Sequence, residues 1–419
     1  MKIIARKKIN TNIIKQTIVK IFFALCIIMY FISNICANQI DKNNETKFDK
    51  EKTLNKDSQY FAKDACSAMS NTFELDKYAG VIDEYAKKSG IDDISFTDIT
   101  NDLITKNETD YSSIIVKVLS FFAKEIVGAI KGAISIFIIV IIMAIISSLE
   151  LDKKSDITQI AHLVCFLALA TITVATFIDT ITMFKNVVSS LTGIMQVISP
   201  FLMAVLIATG AISSTGIIQP MLLFIASAIG GIVTYIILPF LSISVAINVI
   251  CSISKNLKLE KMSKLFSSSA IWIMGIVLTV FLGILSLETS LTSSIDSLGI
   301  KATQTAVSNF VPVVGKFFSD SFETVVGATK VVGRVGGSIG IISLIIVALV
   351  PVIKIASIAG VYMILAALIE PISSDESTAK YITGFISIYK TLLGILIGIT
   401  ILFVISTGII LNLASSVIT

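Results

Sequence analysis

NVVSSLTGIMQVISPFLMAVLIATGAISSTGIIQPMLLFIASAIGGIVTYIILPFLSISVAINVICSIS, residues Asn186 to Ser254, decides the fold. These sixty-nine consecutive residues contain no Asp, Glu, Lys or Arg. About 20 apolar residues cross the hydrocarbon of a bilayer as a helix, at roughly 1.5 Å rise each. The stretch is long enough for three crossings, or for two and a re-entrant piece. A water-soluble domain has no reason to carry such a run, so the chain reads as a polytopic membrane protein.

The rest of the chain agrees. Of its 419 residues, 54% are apolar and 15% charged, against about 25% charged in ordinary globular domains. Mean hydropathy is +0.90. Cys26 and Cys36 lie in an N-terminal apolar segment, Cys165 and Cys251 in expected membrane helices, and Cys66 alone in a polar region. That distribution implies no disulfide framework. The single histidine, His162, opens an apolar helix and reads as an interfacial or packed residue.

Residues 1–20 carry Lys2, Arg6, Lys7, Lys8, Lys15 and Lys20 with no acid, followed by the short apolar run Ile21–Ile32 and by Ala37. This pattern predicts a signal peptide over 1–37. The positive end stays in the cytoplasm and the next segment is exported. That segment, 38–113, holds ten Lys and sixteen Asp or Glu, a net charge of −6. It reads as a disordered linker over Gln39–Asp57, then short amphipathic helices built on Tyr60, Phe61, Met69, Phe73, Leu75, Tyr78, Val81, Ile82 and Tyr85, ending near Gly90.

The membrane domain is expected over 114–419. Its predicted spans are Ala129–Leu149, Ile157–Ile178, Ile194–Ile212, Ile217–Leu238, Phe240–Ser254, Leu265–Leu287, a broken Ser338–Leu368 and Thr391–Leu411. The expected fold is an all-α, polytopic helical bundle of about seven to nine spans, with broken or re-entrant helices. Lys255–Lys264 carries four lysines and one acid, which places it in the cytoplasm. Glu370–Lys380 carries three acids and one lysine and is expected outside, with the C-terminus cytoplasmic.

Pro200 and Pro312 are 112 residues apart, as are Pro239 and Pro351. These four prolines are the expected helix breaks. Their spacing suggests two inverted halves beginning near residues 185 and 295, an arrangement found in transporters.

No Gly-rich loop ending in Gly-Lys-Ser or Gly-Lys-Thr is present, and one histidine allows neither a His-Glu-x-x-His metal site nor a Ser-His-Asp triad. No catalytic, cofactor or metal residue is expected, no enzyme, and no nucleic-acid partner. The candidate residues are charges in apolar surroundings: Lys354, Lys390 and Glu370. Such groups either lie near interfaces or line a polar path. Lys354 lines such a path or pairs with an acid such as Glu323 or Asp320. Gly327, Gly333, Gly336, Gly337 and Gly340 suit close helix packing.

Asn309-Phe-Val-Pro-Val-Val-Gly-Lys-Phe-Phe-Ser-Asp-Ser-Phe322, with Thr279–Leu285, Val350–Ser357 and the block from Ile198 to Pro220, resembles the stage III sporulation protein AE family of endospore-forming bacteria. The resemblance covers roughly 190–410. It implies a multi-pass protein of the mother-cell membrane around the forespore. Its implied partners are the lipid bilayer and the other subunits of a secretion-like channel complex joining the two cells, with further copies of the chain as a homo-oligomer. The implied function is a membrane component of that complex, needed for late forespore development. The alternative from the residues alone is a self-sufficient permease with inverted repeats.

Overall fold

The computed structural model describes residues 74–88, 95, 97–98, 111–148, 156–208, 212–253, 259–310, 315–371 and 376–416. The expected signal peptide and the linker to Asp57 lie outside them. The described elements are helical: α1 (Leu75–Lys88), α2 (Tyr111–Ser148), α3 (Asp156–Ala208), α4 (Ile212–Ile232), a π-helical turn (Val233–Ile237), α5 (Leu238–Ile253), α6 (Glu260–Phe310), α7 (Gly315–Ile369) and α8 (Glu376–Ser416).

Six helices among the described residues are long and apolar enough to cross a membrane: Glu125–Ile146, Ile160–Ala208, Ile218–Ile253, Glu260–Leu285, Val331–Ile369 and Ser377–Leu411. The chain is a multi-pass membrane protein. Several of the spans expected separately share one continuous helix. Ile157–Ile178 and Ile194–Ile212 fall largely on the 53-residue α3. Ile217–Leu238 and Phe240–Ser254 belong to one rod, α4, π turn and α5.

Pro200, Pro239 and Pro351 do not break the helices that hold them. Pro200, Pro220 and Pro351 lie inside α3, α4 and α7. A mid-helix proline removes one backbone hydrogen bond, which packed neighbours in a bundle tolerate. Before Pro239 the chain widens into the π turn, where Leu238 N–H donates to the Val233 carbonyl. That wider turn shifts the preceding carbonyls away from the proline ring. Pro312 falls between α6 and α7, outside the described residues.

α7 and α8 form the inside of the bundle. The most apolar window of α7 is 67% buried, against 22% for α2. Ser244 of α5 and Ser263 of α6 bind reciprocally. Each hydroxyl donates to the other residue's carbonyl, at 2.8 and 2.9 Å. The pair fastens α5 to α6 close to their shared connection.

The inverted repeat does not match this architecture. Asn248, near the end of α5, donates its amide to the Tyr381 carbonyl near the start of α8, at 3.0 Å. The lysine-rich connection before α6 and the acidic one before α8 therefore lie at the same end of the bundle. Opposite halves would need them at opposite ends. The reason is that α7 runs through Pro351 as one helix. Leu411, near the end of α8, packs at Gly337, beside the Gly336 that α1 touches. α1 and the C-terminal end of α8 thus share the other end, whereas the exported segment and the C-terminus were expected apart. Cysteines replacing exposed Lys261 and Glu370 should both react with an impermeant maleimide from one side of a sealed membrane. Labelling from opposite sides would restore the repeat.

Candidate functional site: a docked helix and a hydroxyl seam

Glycines 333, 336, 337 and 340 fall at helical spacing on one face of α7. Opposite them on α3 stand Val205, Phe201, Leu202 and Ile198, at the same spacing in reverse order. Without side chains on α7, the large residues of an antiparallel α3 fit directly onto its backbone. A Cβ at Gly340 would stand 2.8 Å from Ile198 Cδ1, and one at Gly337 2.8 Å from Leu411 Cδ1. The packing role expected for these glycines is what the structure shows.

α1 docks on the same stripe. Leu75, Tyr78, Ala79, Ile82 and Ala86 are buried, as the amphipathic pattern implies for Leu75, Tyr78 and Ile82. Tyr78 stacks on Phe201, centroids 4.5 Å apart, and its hydroxyl donates to the Gly336 carbonyl at 3.1 Å. Burial pushes the Tyr78 phenol above its ordinary range, so it remains a donor. The Tyr85 ring lies against Gly193. The outer face of α1 is charged. It includes the exposed pairs Lys77–Glu74 and Lys88–Glu84, each at 2.8 Å. Each partner there favours the charged form of the other, raising both lysines and lowering Glu84.

Deeper in the bundle, a seam of hydroxyls joins α3 to α7 and α8. Thr173, Thr176 and Thr180 recur at helical spacing, and their hydroxyls donate to backbone carbonyls one turn back. Their single protons are thereby used. The Thr173 and Tyr381 hydroxyls are also hydrogen-bonded to each other, an arrangement that lets Tyr381 donate while Thr173 donates to a carbonyl. Tyr362 and Tyr389 face Thr176 and Thr180 in the same manner, short of a well-formed hydrogen bond. Around them, Phe166, Tyr381, Phe385, Phe177, Tyr389 and Tyr362 form a chain of ring contacts at 5.1 to 6.4 Å. With each threonine hydroxyl within hydrogen-bond distance of a carbonyl one turn back, the seam is suited to fixing helix positions.

This seam was missed in the sequence. The signal available was three threonines on one face of an apolar helix, and Tyr381, Phe385 and Tyr389 on another. The charged residues singled out are not assembled into one cluster. Lys354 is half-buried on α7, Lys390 exposed on α8, and Glu370 exposed just past the end of α7. Asp320 and Glu323 lie on the first turns of α7, their side chains outside the described set. Thirty-one or more helical residues separate them from Lys354, about 45 to 50 Å along the axis. Within one chain that distance rules out the expected pairing.

A family model described as Stage III sporulation protein AE matches residues 94–414. The chain is also similar to Stage III sporulation protein AE of Bacillus subtilis (strain 168), at 24% identity over 220 residues. That alignment takes in 52% of this chain and 55% of the relative, about half the length of each. No solved structure matches the chain. The family match runs from before α2 to the last turn of α8, and on that ground the chain belongs to the Stage III sporulation protein AE family.

Proposed function

We propose that this protein is a non-enzymatic membrane subunit of a multi-protein sporulation complex that links mother cell and forespore. The family match over 94–414 carries this reading. Its site is the mother-cell membrane around the forespore, and its partners are the bilayer, other subunits of the complex and further copies of itself.

Two features support a conduit-type role within such a complex. Read as one crossing each, the six candidate spans leave α1 and the C-terminus on one side and the lysine-rich Lys255–Lys264 connection on the other. The positive-inside rule makes that connection cytoplasmic. α1 then faces the space between the two membranes, and so does the C-terminus, in place of the cytoplasmic end expected. Secondly, the charged outer face of α1 cannot rest in lipid, yet α1 lies along Gly193 to Phe201 of a candidate span. Water must reach that flank of the bundle. The permease alternative drew on the inverted repeat and loses that support.

The test is deletion of the gene in its sporulating host, with complementation. Heat-resistant spores should disappear while vegetative growth is unchanged, and tagged protein from sporulating cells should carry other envelope proteins with it. Normal sporulation of the deletion strain, or solute transport by the purified chain alone in vesicles, would reject the proposal.

A further inference from the structure

The middle of α3 turns a polar face outward. Asp179, Thr182, Lys185, Asn186, Ser189 and Gln196 are all exposed, and at helical spacing they fall within an arc of about 120°. Between Leu167 and Ile207, Ile178 is the one large apolar side chain that α3 exposes. Neither Asp179 nor Lys185 forms an ion pair with a described residue.

This face lies at the depth of the apolar spans. Phe177 meets Tyr389 and Met195 meets Thr407, so α3 and α8 run side by side in the same direction. Gly398, nine residues from each of those α8 positions, lies against Met274 and Leu278 of α6. Lys185 and Asn186, midway between Phe177 and Met195, are therefore level with Met274 and Leu278, inside the candidate span Glu260–Leu285. At that level α6 exposes Trp272, Ile276 and Val280, as a lipid-facing helix does. α3 exposes charges, amides and hydroxyls instead. Ionisable groups at membrane depth face a cavity or a partner, because lipid leaves them unsolvated.

The surroundings of this face are polar as well. Thr192 meets α4 at Gly230, and Gly193 meets the Tyr85 ring of α1. Ser189 and Gln196, about one turn to either side, fall between these two contacts, so α3 is the floor of a groove walled by α4 and α1. The Gln196 amide donates to the Ser227 hydroxyl of α4 at 3.4 Å. α1 contributes its charged outer face, including the Lys88–Glu84 pair. From Gln196, beside α1, to Asp179 the floor runs about 25 Å. Past Ile178 α3 exposes large apolar side chains again, at Leu167, Val164 and Leu163.

We propose that this groove is a water-filled vestibule, open at the α1 end and closed near Ile178, that admits ions and small hydrophilic solutes to the middle of the bundle's depth. It deepens the conduit role proposed above and rests on it for the purpose of the passage. The wet face itself rests on the polar residues of α3 and their level beside α6.

The test is thiol reactivity in the full chain, its five native cysteines replaced by alanine, held in lipid nanodiscs so that both membrane faces are open. Single cysteines at Thr182, Ser189 and Gln196 are compared with Ile276→Cys, at the same depth on α6, and Leu167→Cys, beyond the closed end. The probe is a membrane-impermeant trimethylammonium methanethiosulfonate. The three groove positions should react roughly tenfold faster or more than the two controls, because the thiolate is the reacting form and apolar surroundings suppress it. Rates at Thr182 and Ser189 no faster than at Ile276 would place the stripe against lipid and overturn the proposal. Slow reaction there with disulfide cross-linking between chains would overturn it too, by making the stripe an interface between copies. Either failure would leave the sporulation role standing, since that role is judged by spore formation.

Discussion

Gly336→Val will release α1 from the bundle and destabilise the protein by about 2–3 kcal/mol, the usual cost of overpacking a filled interior. A Cβ at Gly336 would run into the Phe201 ring and approach Leu75 Cδ1 at 3.2 Å. The same substitution separates the Tyr78 hydroxyl from the Gly336 carbonyl it binds. Two measurements check this on the detergent-purified full chain: the thermal midpoint, and the rate of protease cleavage within α1. Gly360→Val is the control on the same helix, because nothing stands within 4 Å of a Cβ there. Equal effects at the two glycines would show that helix propensity, and not close approach of α1 and α3, explains the stripe. If the proposed function holds, Gly336→Val should also reduce spore yield, since it removes the charged helix from its flank.

Tyr381→Ala should cost more, about 3–5 kcal/mol, because it empties a fully buried aromatic position. The Tyr381 ring is fully buried, its centroid 5.1 Å from those of Phe166 and Phe385. Tyr381→Phe keeps the ring and removes the hydroxyl given to Thr173, for about 1 kcal/mol. Thr173→Val should show a similar loss, and the double variant Tyr381→Phe, Thr173→Val should cost less than the two losses added. Additive losses in that cycle would mean the Tyr381–Thr173 pair contributes no coupling. The Phe variant also covers the case in which the Ala variant fails to fold, because it leaves the packing intact.

Much of the architecture is legible from residue chemistry. The uncharged run from Asn186 to Ser254 requires a membrane fold whatever its neighbours do. Leu75, Tyr78 and Ile82 announce the buried face of α1 through their spacing alone. The glycines of α7 mark a close helix contact because no other residue leaves the backbone bare. The family resemblance is legible for the same reason, being carried by local motifs around Pro312 and Pro351.

The number of crossings is not legible in that way. Proline weakens a helix locally by a few kcal/mol, and only the surrounding packing decides whether the helix ends there. At Pro351 the buried surroundings hold α7 straight through, and at Pro239 a π turn absorbs the strain. That choice joined predicted spans, brought two connections to one end and dissolved the inverted repeat. Lys354 and Glu323 look like plausible partners along the chain, but a continuous helix fixes them far apart.

What the sequence by itself determined is membrane residence, the helical class, the amphipathic α1 and the family, because these depend on hydrophobicity, periodicity and local motif. The tertiary structure alone decided which predicted spans join into one helix, which helix ends lie together, and which hydroxyls and glycines meet. Those outcomes depend on contacts between residues more than a hundred positions apart, such as Thr173 with Tyr381 and Tyr78 with Gly336. Neither spacing nor composition encodes such a pair until the helices have packed.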